Sequence, residues 1–168
     1  VATVDDSGLA TGVAEGSATI TAINEWVSGT ANLTVLPAGL TWIATSPTTE
    51  TLWEVWGSSG TDVFAVGLNG TILHYDGSAW TKMTIPSSVS SCTLVDVWGT
   101  SATDVFATMG GSFTCGGILH YDGSGWSVSG QIPIPDSDDV YPLYALWGSG
   151  SNNVYAAGQD GIVAHFDG

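Results

Sequence analysis

Three stretches of this chain repeat one another, and a repeat constrains a fold more than any single residue does. The first, Leu52 to Trp80, reads LWEVWGSSGTDVFAVGLNGTILHYDGSAW. The second, Leu94 to Trp126, reads LVDVWGTSATDVFATMGGSFTCGGILHYDGSGW, and the third, Leu143 to Gly168, reads LYALWGSGSNNVYAAGQDGIVAHFDG. The landmarks keep their spacing. A Trp-Gly pair recurs at Trp56, Trp98 and Trp147, and six residues after each Trp comes Asp62, Asp104 or Asn153. A His follows the Trp by 18 residues in the first and third copies, at His74 and His165. In the second it follows by 22, at His120, because four residues are inserted around Ser112 to Gly116.

Each copy predicts four short strands. In the first copy these are Leu52–Trp56, Val63–Val66, Thr71–Tyr75 and a strand from Trp80 that ends by Pro86. Gly-Ser-Ser-Gly, Gly-Leu-Asn-Gly and Asp76-Gly77 punctuate them, and Asn-Gly and Asp-Gly are hairpin signals because they tolerate positive φ. Val-Phe-Ala-Val is apolar on both faces, as a strand covered from both sides requires. A period of about 42 to 49 residues with four strands per period is the mark of a β-propeller.

The repeats resemble the Trp-Gly…Asp-Val-Phe-Ala-Val-Gly…His-Tyr-Asp-Gly…Trp repeats of bacterial secreted β-propellers, over residues 41 to 168. The Tyr-Asp-Gly-x-x-Trp turn is distantly similar to the Asp-box turn of sialidase-like propellers, but has His where that turn has a leading Ser or Thr. Residues 1 to 37 are of another kind. Val-Ala-Thr-Val-Asp-x-x-Gly-Leu-Ala-Thr-Gly-Val-Ala-x-Gly-x-Ala-Thr-Ile-Thr-Ala and a closing Leu-Thr-Val resemble the C-terminal half of the bacterial Ig-like domain, group 2. Strands are predicted at Ala18–Ile23 and from Thr30 to Leu36, and Pro37 ends the second. The expected fold is therefore all-β: part of an Ig-like sandwich at 1–37, then propeller blades over 38–168. The repeats proper lie at about 52–86, 94–132 and 143–168, with 41–45 as an outer strand that completes the last blade. Three blades fall short of the usual four to eight, so further blades are expected elsewhere in the parent protein or from a partner.

Charge excludes several functions. Sixteen Asp and Glu stand against one Lys, Lys82, and no Arg, for a net charge of −15. Nucleic-acid binding and polybasic lipid contacts both rest on Lys and Arg, so neither is expected. The 8 Trp and the many Val, Ile and Thr distinguish the chain from acidic disordered sequences. No apolar run of about 20 residues exists to span a bilayer.

Candidate chemistry is sparse. The recurrent His74, His120 and His165 read as hydrogen-bonding within their own blades, since separate blades keep them from converging on a metal. Asp62, Asp104 and Asn153, with Asp76, Asp122 and Asp167 in their Asp-Gly turns, read as turn residues. Asp136, Asp138 and Asp139 form the one weak calcium candidate, against a solvated acidic loop. Trp56, Trp98 and Trp147 read as packing between blades, and Trp26 as a freer surface aromatic. Cys92 and Cys115 can pair in an oxidising compartment and staple the enlarged loop to its blade; two buried thiols are the alternative. Sialidase-like propellers use arginines on the substrate carboxylate, and this chain has none. No Gly-x-Ser-x-Gly, His-Glu-x-x-His or phosphate loop occurs either. The expectation is a non-catalytic, cofactor-free exported scaffold (periplasmic, extracellular or cell-surface) with protein partners, placed on the outer face of a membrane complex. The alternative is a carbohydrate-binding or adhesion module of the cell surface.

Overall fold

The structure is a computed structural model that describes residues 2–4, 10–12, 16–24, 27–35 and 42–168. The chain divides into two units, Val1–Thr45 and Ser46–Gly168. In the first, β1 (Ala2–Val4) pairs with β2 (Ala10–Gly12), and β3 (Gly16–Asn24) pairs with β4 (Val27–Val35), both antiparallel. The longer hairpin contains the strand expected at 18–23 and most of the one from 30 to 36. Trp26, Leu36, Pro37 and the turns at 6–8 and 14–15 lie outside the described residues. The division falls after Thr45, not Pro37. The outer strand expected at 41–45 is not formed by its described residues: 42–45 carry no strand, and Trp42 and Ile43 are fully exposed.

The second unit is three antiparallel sheets in a row. Blade 1 orders β5 (Leu52–Ser59), β6 (Asp62–Gly67), β7 (Ile72–Tyr75) and β8 (Trp80–Lys82). Blade 2 orders β9 (Thr93–Ser101), β10 (Asp104–Gly110), β11 (Gly117–Tyr121) and β12 (Trp126–Gly130). Blade 3 has β13 (Leu143–Gly150), β14 (Asn153–Gly158) and β15 (Val163–Phe166). The first strand of each blade runs past the Trp-Gly pair that was expected to stop it. In blade 1 the ladder continues to Ser59 opposite Asp62, so the turn shrinks to Gly60-Thr61. Elsewhere the turn chemistry sits where the dipeptides place it. Asn69 and Gly70 take φ of 52° and 59°, the paired left-handed conformation that Asn-Gly favours.

The core lies between blades. Phe64, Val66 and Ile72 of blade 1 meet Leu94, Val97, Val105 and Leu119 of blade 2, all buried. That is why the β10 run is apolar on both faces: blade 2 has a neighbouring blade on either side.

Candidate functional site

Register places one aromatic row across every blade. Trp56 lies opposite Phe64, and Phe64 opposite His74. Trp98, Phe106 and His120 repeat the row in blade 2, and Trp147, Tyr155 and His165 repeat it in blade 3. The His ring rests on its aromatic neighbour with centroids 4.5, 4.4 and 4.2 Å apart in the three blades.

The polar edge of each His is tied down within its own blade. His74 Nε2 is 2.7 Å from Asp62 Oδ1, and His120 Nε2 is 2.7 Å from Asp104 Oδ1. Ser58 and Thr100 donate their hydroxyls to the other oxygen of the same carboxylates. In blade 3 the amide of Asn153 does the same work. Its Oδ1 is 2.8 Å from His165 Nε2, and its Nδ2 donates to Ser149 Oγ at 2.6 Å. Asn153 thus turns Oδ1 to the imidazole and Nδ2 to the Ser149 hydroxyl. Burial pushes the Asp62 carboxyl up, but the hydrogen bonds from Ser58 and His74 outweigh that and leave it below its ordinary value.

Ser, Asp and His are the residue types of a hydrolase triad, but the connectivity is wrong for one. A nucleophilic triad needs His between the hydroxyl and the carboxylate, so that the imidazole can take the hydroxyl proton. Here the carboxylate stands in the middle and both neighbours donate to it. Ser58, Thr100 and Ser149 were not singled out in the sequence, although each falls two residues after its blade's Trp, a signal as regular as the rest.

The Asp-Gly turns hold a second repeated network. Asp76 Oδ1 accepts from Ser78 N at 2.9 Å, Ser78 Oγ at 2.7 Å and Ala79 N at 2.9 Å. Asp122 Oδ1 accepts from Ser124 N and Oγ and from Gly125 N at 2.9, 2.7 and 3.1 Å. Three donors on one oxygen favour the charged form, and both carboxyls fall to about 2, with the Ser side chain the largest cause. Gly77 and Gly123, with φ of 92° and 88°, permit the turn. The equivalent Asp167 lies at the end of the chain.

Cys92 and Cys115 are joined in a disulfide, with Cα atoms 5.4 Å apart. It ties the residue before β9 to the inserted loop before β11. Phe113 of that loop also accepts a backbone bond from Val140, at 2.8 Å. Asp136, Asp138 and Asp139 are not assembled as a cation site. Asp136 sits in a left-handed turn, φ 61°, closed by the Ser137 N to Ile134 O and Ile134 N to Asp139 O bonds. Among the described residues no three His, Cys, Asp or Glu side chains gather to hold a metal.

Sequence reasoning also missed Asp96. Its Oδ1 accepts from its neighbour Val97 N at 2.7 Å, and its Oδ2 accepts from Leu146 N of blade 3 at 2.6 Å. It is a side-chain bond from one blade to the next. Burial raises its carboxyl above the ordinary value; the two backbone bonds oppose this, and the charge of Glu54 adds to it. The repeat marks it only in part: the equivalent positions are Glu54, also a carboxylate, and Ala145.

No protein-family model matches the chain, and no curated protein does. Solved structures do. "YCF48 bound to D1 peptide" is 18% identical with a TM-score of 0.56, over 72% of this chain and 39% of that one. "YCF48 from Cyanidioschyzon merolae" is 20% identical with a TM-score of 0.56, over 80% of this chain and 44% of that one. The chain thus spans about two fifths of the structures it matches, and at these identities the likeness shows the fold alone: its sheets are blades of a β-propeller.

Proposed function

We propose that the chain is a non-catalytic, exported bacterial scaffold whose blades contact other proteins, as an accessory subunit on the outer face of a membrane complex. One observation carries this reading. In every blade the hydroxyl, carboxylate or amide, and imidazole bond one another, which leaves exposed aromatics as the surface on offer. Trp53, Tyr144, Trp147 and Tyr155 are all exposed, and aromatic side chains of this kind anchor protein interfaces. A structure of similar fold, YCF48, is one bound to a D1 peptide. The disulfide suits an oxidising compartment. The Ig-like resemblance of residues 1–37 supports a spacer on the cell surface. The hollow at Trp147 and Tyr155 is otherwise lined by the apolar side chains of Ala145, Leu146, Ala156, Ala157 and Val163, a lining that suits an apolar protein side chain better than a sugar.

The test is gentle solubilisation of the source membranes, fractionation by native size, and mass spectrometry of what travels with the chain. Stoichiometric co-migration with a large membrane assembly is the expected result. A chain that runs without protein partners defeats the reading, and a glycan screen then decides for the adhesion alternative.

A further inference from the structure

The turn between β6 and β7 holds the one Asn-Gly pair of the sequence, Asn69 and Gly70. Packing imposes it. Both residues take positive φ, and a Cβ added to Gly70 would stand 2.8 Å from Ser90 O and 2.6 Å from Ile85 Cδ1. Only glycine fits there. A glycine after asparagine also leaves its amide unshielded, because no Cβ covers it. That amide nitrogen can attack the side-chain carbonyl carbon of the residue before it. The bond from Gly70 N to Asn69 Cγ forms, the Cγ–Nδ2 bond breaks, and Nδ2 leaves as ammonia with the proton of Gly70 N. Water then opens the cyclic imide at either carbonyl, giving Asp or its β-linked isomer, isoAsp.

Both reacting groups are held back in the folded chain. Gly70 N donates to Cys92 O at 2.7 Å, and Asn69 Nδ2 donates to Glu50 Oε2 at 2.9 Å. The turn is closed by Thr71 N to Leu68 O and Gly67 N to Thr71 O, both at 3.0 Å. The bond to Cys92 is the one that reaches beyond blade 1. Cys92 is buried just before β9 and is joined to Cys115 of the inserted loop. The disulfide thus fixes the acceptor that occupies the nucleophile's proton. Asn69 itself is exposed, beside an open hollow that Lys82, Thr84 and Ser90 also line, so water has access to it.

We propose that Asn69 is a deamidation site that the Cys92–Cys115 disulfide keeps closed, so that loss of the disulfide is recorded in the chain as Asp or isoAsp at position 69. When a dithiol reduces the bond to two thiols and is itself oxidised to a disulfide, the segment before β9 loosens and releases the Gly70 amide. The two products differ in consequence. Blade 3 has Asp160 and Gly161 in the equivalent turn, with φ of 56° and 78°, so an Asp product keeps the hairpin. IsoAsp carries the backbone through the side chain and adds an atom to a turn whose register, Val66 opposite Ile72, has no place for it. The gate needs no partner, so it stands apart from the scaffold reading and is tested on the purified chain.

The measurement is peptide mapping by mass spectrometry of the full chain incubated at mildly alkaline pH, with an isoaspartate-specific methyltransferase to detect isoAsp. The oxidised chain, the dithiol-treated chain and the Cys92→Ser, Cys115→Ser double variant are compared, and near-ultraviolet circular dichroism follows the fold of each. The oxidised chain should keep its amide, while the other two, still folded, convert Asn69 at least several-fold faster as the turn opens more often. Asn69→Gln in the reduced chain should stop the reaction, since the longer side chain would have to close a larger ring. Equal rates with and without the disulfide overturn the proposal, and so does conversion at Asn152 or Asn153 in place of Asn69. A reduced chain that loses its near-ultraviolet signal also overturns it, because the disulfide then holds the whole fold and not this turn.

Discussion

At the scale of single residues, the third blade is a natural substitution experiment. Asn153 replaces the carboxylate of Asp62 and Asp104 and keeps both bonds of the network. The need is therefore for an oxygen facing the imidazole and a partner for the hydroxyl, not for a charge. Asp104→Asn should change stability by less than about 0.5 kcal/mol, whereas Asp104→Ala orphans His120 and Thr100 and should cost about 1–2 kcal/mol. Urea midpoints of the two variants check this, and equal losses would refute it. The turn carboxylates give a prediction in pH. Asp76 and Asp122 sit at about 2 in the folded chain, below the roughly 3.9 of an unfolded Asp. A depressed folded value stabilises above the unfolded value, and that contribution disappears as pH falls from about 4 through 2. Asp96 has the opposite sign: its value is raised, so what it contributes is present at low pH and lost as pH rises through its folded value. Carboxyl titration by NMR should place Asp76 and Asp122 near 2 and Asp96 above the ordinary range; three midpoints near 4 would contradict both assignments.

At the scale of elements, what could be read in advance depended on whether the repeat displayed it. Strand existence and the Asn-Gly and Asp-Gly turns were legible because hydrophobic runs and φ-tolerant dipeptides recur three times. The extension of β5 to Ser59 was not. It is fixed by a cross-strand partner, Asp62, and not by the local preference of Gly57 and Ser58. Asp96 stayed hidden because its bond runs between blades and its carboxylate recurs only at Glu54, giving way to Ala145 in the third copy. The disulfide is an element-scale device, closing a loop of 23 residues. Chain-entropy bookkeeping gives roughly 3 kcal/mol for a loop of that size. Reduction, or Cys92→Ser with Cys115→Ser, should lower stability by about 2–4 kcal/mol in chemical denaturation. An unchanged midpoint would mean that the hydrogen bond from Val140 to Phe113 already holds the loop.

At the scale of the whole molecule, the blades form a line in which each meets its neighbours, so stability is approximately a sum of blades and junctions. The scarcity of cations turns that line into something a protease can report on. Trypsin cuts after Lys and Arg, and here it has a single target, the bond between Lys82 and Met83. That bond lies at the end of β8, where Lys82 pairs with Leu73 and Met83 N bonds Ile72 O at 2.9 Å. Cleavage therefore requires β8 to peel from blade 1, and its rate follows the population of that opened state when reclosing is fast. Native chain should resist trypsin and, under mild denaturant, yield one clean pair of fragments before blades 2 and 3 lose their near-ultraviolet signal. Cleavage that waits for that loss would show all three blades opening together. Having almost no positive charge thus gives this protein one built-in scission point, and it records when its first blade opens.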